Sequence, residues 1–196
     1  MSITLPTSPG AADLTARLID FGGEISSALG AGTVRVNRLG NRWAFDVRTP
    51  PLAGAQARAW CAALASARTA GALFALTQPG LDVGSPGTPL VKGAGQTGSV
   101  LVIDGLASSY GLKAGQWISL ISGGRRYVHQ VAADVTAVSG EASVPITPML
   151  RVSPADNATV EVAAPMVEGF LGGAEVSWTV DAAGHAGLGF TITEAA

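Results

Sequence analysis

The chain has 196 residues and a net charge of −2, with 47% hydrophobic and only 13% charged residues, against roughly 25% charged in an ordinary soluble domain. That length suffices for one generous domain or two small ones, and the charge balance excludes a basic nucleic-acid binder, whose affinity rests on Lys and Arg set against phosphates. So few charges point to a surface partly covered by other subunits, a low-charge monomer rich in small residues being the alternative.

In chain order, residues 1–13 are rich in Pro, Ser and Gly and read as a flexible or partner-ordered arm. The segments 33–37 (TVRVN) and 42–48 (RWAFDVR) alternate apolar and polar residues, with Trp43, Phe45 and Val47 on one face. Leu39-Gly40-Asn41 between them has turn chemistry, so the pair reads as a β-hairpin. Pro50-Pro51 ends it, and the period changes: Ala57, Trp60, Cys61, Leu64 and Ala67 form one helical stripe within 54–68, which Gly71 stops. Beyond Gly71 the pattern is of strands divided by Gly and Pro: 72–77, 99–103, 116–121, 126–132, 142–147, 159–164, 175–180 and 188–193. The stretch from Gly80 to Gly98 reads as a long loop or an internal seam. The fold class is therefore mainly β, a β-sandwich or barrel-like arrangement of antiparallel sheets with one packed α-helix at about 54–68. The domains are the 1–13 arm and a β-rich unit over 14–196, with a split into two lobes near residue 80 left open.

Cys61 is the only cysteine, which rules out an intrachain disulfide and a cysteine zinc site. The first eighteen residues, MSITLPTSPGAADLTARL, lack the basic and apolar regions of a secretory signal. No run approaches the length of a bilayer span, so no membrane insertion and a reducing, aqueous compartment are expected.

Several motifs tempt. Gly93-Ala94-Gly95-Gln96-Thr97-Gly98 spells G-x-G-x-x-G, but the next residues, SVLVIDG, form a strand pattern and not the helix whose N-terminus would hold a pyrophosphate, so a turn is expected. Arg125 and Arg126, the tightest basic cluster, read as a solvated turn. His129 alternates with Tyr127 and Val131 and reads as a half-buried sheet residue; His185 falls in a turn. A Ser/His/Asp triad or a two-histidine metal site with Asp181 could be composed on paper, but without supporting spacing. Cys61 on the helix stripe reads as an inert buried thiol. Trp43, Trp60, Trp117 and Trp178 could stack on sugars, yet their positions favour the core. No residue is assigned a catalytic, cofactor-binding or metal-binding role.

The second half carries an ordered series. VKGAGQTGSVLVIDGL (91–106) leads to GLKAGQWISLISGGRRYVHQVAADVTAVSGEASVPITPMLR (111–151), then ADNATVEVAAPMVEGFLGG (155–173), then SWTVDAAGHAGLGFTITEA (177–195). With the early strand pair, Pro-Pro and Trp-bearing helix, this order resembles the distal tail proteins of long-tailed, siphovirus-like bacteriophages over roughly residues 15–195. Gln116 departs from the acidic residue expected after that glycine in similar sequences. The chain is also too short for the sugar-binding insertions of some larger relatives.

The resemblance implies a non-enzymatic structural subunit of the virion, assembled in the host cytoplasm. It implies a homo-oligomeric, hexameric ring at the distal end of the tail tube. Its partners would be the tail tube protein and the hub or baseplate proteins, with DNA passing through the lumen in transit and not specifically bound. The other readings are a tube or terminator ring protein, a β-sandwich module binding a glycan or a protein, and a small hydrolase using His129 and His185.

Overall fold

The computed structural model describes residues 1–27, 30 and 32–195; of the expected 14–196 unit, positions 28, 29, 31 and 196 lie outside the described residues. The first strands are β1 (Ile3–Thr4), β2 (Asp13–Ile19), β3 (Gly23–Ile25), β4 (Val34–Val36), β5 (Arg42–Arg48) and β6 (Leu52–Ala53). Helix α1 (Gly54–Ala70) and β7 (Ala72–Ala75) come next. The middle supplies β8 (Gly87–Val91), β9 (Val100–Leu106), β10 (Gly111–Leu112), β11 (Trp117–Ser122), β12 (Arg125–Val131), β13 (Val135–Thr136), β14 (Ala142–Thr147) and β15 (Val160–Glu161). Last come β16 (Met166–Leu171), β17 (Trp178–Val180) and β18 (His185–Glu194). The fold is mainly β, built of almost wholly antiparallel sheets, one of them barrel-like, with one packed helix among the described residues.

The middle strands form a six-stranded sheet in the order β15-β11-β12-β14-β9-β8. Its two edges meet at a Leu90–Thr159 bridge, with the Val91 amide donating to the Ala158 carbonyl, so the sheet nearly closes into a barrel. Alternation turns Leu101, Ile103, Ile118, Leu120, Val144 and Ile146 inward, where all are essentially unexposed. The interior is a packed core and no pore, as expected of a small barrel. Close approach at the end of the β8–β9 pair away from their connecting turn requires glycine: a Cβ on Gly105 would stand 2.3 Å from the Thr88 carbonyl oxygen. The register slips there between Gly87 and Leu90, as at a bulge.

Most of the chain outside the barrel belongs to one other large sheet, ordered β1-β7-β16-β18-β5-β2, with β6 and β17 also paired to β18. Only β1 and β7 run parallel in it. The barrel is spliced between neighbouring strands of this sheet, leaving after β7 and returning at β16, and the Leu76 amide donates to the Pro165 carbonyl across the two crossings. Leu188, Phe190, Ile192 and Glu194 alternate onto one face of β18. Towards the Leu188 end that face meets α1, where Trp60 packs against Phe190 at 6.0 Å between ring centroids. Towards the Glu194 end it meets the barrel, where Trp117 stands edge-on to Trp43 at 4.7 Å. The helix buries Trp60, Leu64 and Ala67, spaced four and three apart. Its last turn is fixed by Arg68, which donates to the Leu171 carbonyl at 2.7 Å.

Several expectations need correction. Segments 33–37 and 42–48 do not pair: β4 pairs with β3, and β5 lies between β2 and β18. β5 buries Ala44 as well as Trp43, Phe45 and Val47, which suits a central strand better than a hairpin arm. The 80–98 stretch contains β8, and only Val160–Glu161 of the 159–164 segment is strand. Residues 1–13 are anchored, since β1 pairs with β7 and Leu5 is buried. The helix continues past 68 to Ala70. The two hydrophobic cores do not divide near residue 80 alone, because the chain crosses between them twice.

Candidate functional site

The G-x-G-x-x-G segment is a turn between β8 and β9. The Gly93 amide donates to Asp156, and the Gln96 side chain spans the turn, donating to the Lys92 and Val102 carbonyls and accepting from the Val102 amide. The Gln96 side chain and the Gly93 and Gly95 amides are thus engaged by the protein itself. Arg125 and Arg126 do flank a turn, but Arg126 is not simply solvated: it makes a bidentate pair with Glu161, at 2.9 Å for its two shortest contacts. Gln116 is buried, and its side-chain oxygen accepts from the Lys113 amide, a bond that a carboxylate would make equally well.

His185 meets Asp181 at 3.3 Å within one turn, both at the surface, while His129 lies inside the barrel, so the structure brings the two histidines to different places. His129 is fully and not half buried. Its Nδ1 lies 2.8 Å from the Pro148 carbonyl, which can only accept, so Nδ1 carries the proton and Nε2 has no protein partner. Burial, aided by the nearby Arg151 charge, pushes the His129 pKa down to about 4 against the opposing Pro148 bond. It is a neutral side chain at pH 7. Among the described residues no group of three or more His, Cys, Asp or Glu is placed to hold a metal ion.

The strongest electrostatic feature lies outside the residues that the sequence singles out. Glu194 sits at an inward position of β18, fully buried where the sheet meets the barrel. It accepts the Val128 amide of β12 at 2.7 Å and the Trp43 amide of β5 at 3.1 Å, and pairs with Arg151. The Arg151 guanidinium lies 5.0 Å from the Tyr127 ring centre, a cation–π contact. Burial raises the Glu194 pKa to about 6, against the lowering effects of Arg151 and the two amides, and burial likewise lowers that of Arg151. At neutral pH the carboxylate is ionised and joins three segments. A charged residue at an apolar position of an alternating strand (Glu194 after Leu188, Phe190 and Ile192) was the available signal. A second carboxylate acts similarly: Glu168 accepts the Ser2 hydroxyl at 2.7 Å and the Arg126 amide at 3.0 Å. Both junctions hold the barrel against the sheet, with every carboxylate oxygen engaged.

The exposed features are apolar. Strands β3 and β4 form a separate two-stranded ribbon whose residues are all exposed. Its register puts Ile25 opposite Val34 and Gly23 opposite Val36 on one face, with Glu24 opposite Arg35 on the other. Phe21 and Leu39 at its base are also exposed. At the far end of the sheet, an open groove of about 350 Å³ runs between α1 and β17, lined by Gly54, Ala57, Cys61, Trp178, Val180 and Ala186 among others. Trp43 and Trp60 are core residues and Trp117 is half-buried between the sheet and the barrel, but Trp178 is 45% exposed, contrary to the core expectation. Among the described residues β17 pairs with β18 alone, and all three of its residues are exposed. Cys61 is half-buried at the groove, with its thiol pKa raised by burial. No helix among the described residues is long and apolar enough to cross a membrane. No protein-family model matches the chain, and no curated protein matches it significantly.

Proposed function

We propose that this chain is a structural ring subunit of a bacteriophage tail, assembling as a homohexamer at the distal end of the tail tube. The observation that carries the reading is a pair of unlike apolar surfaces, the β3–β4 ribbon and the α1–β17 groove, at opposite ends of one sheet on a charge-poor chain. Unlike, mutually complementary patches favour a heterologous contact, which closes into a ring when the rotation fits. The ordered series over 91–195 that resembles distal tail proteins gives the ring its setting. In that setting the subunit passes the tube's symmetry to the hub or baseplate proteins. Each barrel is filled, so the DNA channel lies between copies; a weakly acidic lumen would let DNA slide without holding its phosphates.

Sedimentation of the purified chain across a wide concentration range, with electron microscopy of the product and of phage particles, tests this. Rings of about six copies are expected, located at the tube's distal end. A chain that stays monomeric at the highest concentration and is missing from particles would end the reading. One observation favours a second reading as a glycan- or protein-binding module: Trp178 offers its indole to solvent. A glycan array without hits, together with unchanged Trp178 fluorescence on adding sugars, disposes of the glycan form.

A further inference from the structure

We infer that the barrel and the outer sheet are two bodies fastened by a side-chain latch, which opens along their shared seam while both stay folded. The inference goes beyond the ring reading and does not depend on it.

The latch fills gaps in the barrel's own ladders. Strand β14 pairs with β12 only at Gln130 and Val131, so residues 125–129 run on without it. The even-numbered amides of this stretch face the β14 side. The Ala132 amide shows this by donating to the Pro145 carbonyl, while Val131 donates to Gln116 on the β11 side. Past Gln130, the next two even-numbered amides meet carboxylates of the outer sheet instead of a strand. Val128 donates to Glu194 of β18 at 2.7 Å, and Arg126 to Glu168 of β16 at 3.0 Å.

The same replacement occurs on β11. Strand β15 pairs with it at Ser119 and Leu120. Odd-numbered amides face that side, as Ile121 does in donating to the Thr159 carbonyl. Past Ser119, the Trp117 amide donates to the side chain of Gln78, in the segment leaving β7, at 2.8 Å. Three backbone donors that a neighbouring strand would take are therefore held by three side chains.

Among the described residues, no barrel strand pairs with a strand of the outer sheet. Further contacts across the seam are also made by side chains. Trp117 packs on Trp43 and Phe45, the Trp43 indole donates to the Thr147 carbonyl at 3.3 Å, and Arg151 pairs with Glu194. The chain itself crosses twice, side by side at Leu76 and Pro165. Parting the bodies thus bends two adjacent segments and breaks no ladder, which makes it a local opening below the cost of unfolding.

Amide hydrogen exchange of the full-length chain, followed residue by residue by NMR, tests this. The Trp117, Arg126 and Val128 amides of the barrel should exchange as one group with the Trp43 amide of the sheet, which also donates to Glu194. Their protection should lie at least about tenfold below that of Ala132 and Ile121 in the adjoining ladders. Glu194→Leu combined with Arg151→Met removes the ion pair without stranding either charge. That variant should lower protection at Val128 and Trp43 by about a further tenfold, with Ala132 and Ile121 unchanged.

If in the unaltered protein the four amides exchange as slowly as Ala132 and Ile121, the seam opens only with global unfolding and the inference is overturned. Early exchange of Arg126 and Val128 with Trp43 still protected overturns it too, since that is fraying of β12 alone. So does an equal loss at Ala132 in the variant. Where the variant does not fold, the unaltered chain decides.

Discussion

The junction at one end of the β5–β18 ladder could hardly differ more from the ribbon that springs beside it. At the barrel end, a buried carboxylate, a guanidinium, two backbone amides and three aromatic rings converge around Glu194. From the same end rises the β3–β4 ribbon, which touches little of the protein and leaves its large side chains in water. The contrast locates folding stability in the barrel and its junction, and leaves the ribbon free for another molecule. Elements that carry the fold bury their polar groups in pairs. An element kept for a partner exposes apolar surface that its own fold does not need.

The largest expected effect sharpens the first half of that contrast. Arg151→Ala strands the Glu194 carboxylate in the junction, and removal of one partner of a buried pair costs about 3–5 kcal/mol. Urea unfolding at pH 7 should show that loss. A drop below about 1 kcal/mol would mean that water reaches the junction and that the pair is not a weld.

The next effect is in the pH dependence. The folded-state pKa of His129, about 4, lies below its ordinary 6.5, so the unfolded chain binds the proton more readily. Its contribution to stability is therefore complete above pH 6.5 and declines by about 3 kcal/mol as pH falls towards 4. Glu194 works in the opposite sense. Its folded pKa of about 6 stands above the ordinary 4.5, so its proton-linked contribution is complete below 4.5 and is lost as pH rises through 6, by about 2 kcal/mol. The two slopes nearly cancel between pH 4.5 and 6. Over that interval the unaltered protein should change little from these groups, His129→Gln should gain stability on acidification and Glu194→Gln should lose it. Denaturant midpoints taken at half-unit pH steps decide the matter, and parallel slopes in the two variants would refute the assignment.

The smallest effect tests the ribbon. Ile25→Asp should change the unfolding free energy of the monomer by no more than about 0.5 kcal/mol, as for a surface position. A loss of about 2 kcal/mol or more in the melting of dilute protein would place Ile25 in the fold and erase the contrast.

Much of this architecture is legible in the sequence because alternation and helical spacing report burial directly. Trp60, Leu64 and Ala67 mark the helix, and the alternating segment 142–147 coincides to the residue with β14 (Ala142–Thr147). The misreadings share causes. β2 has an exposed edge with weak alternation, so Asp13–Ile19 gives no strand signal, and without it β4 and β5 look like partners. β16 is hidden by Gly169, which resembles a turn signal. There a Cβ would lie 2.1 Å from the Thr193 carbonyl oxygen, so glycine is required by close approach of two strands. The site is less visible than the fold. Glu194 and Arg151 are 43 residues apart in the sequence, and no local pattern couples them. The ribbon's apolar face is likewise a matter of pairing, since Ile25 and Val34 become neighbours only through the β3–β4 register.

The splicing of the barrel between β7 and β16 orders events during synthesis. The sheet strands between β8 and β15 find all their partners within one uninterrupted stretch, so the barrel can form as soon as that stretch leaves the ribosome. The surrounding sheet must wait. Its interior strand β18 is the last of the described strands to emerge, and until then β5 and β16 lack the neighbour they share. This connectivity allows the barrel to close ahead of the outer layer, with Glu194 among the last groups to join one to the other.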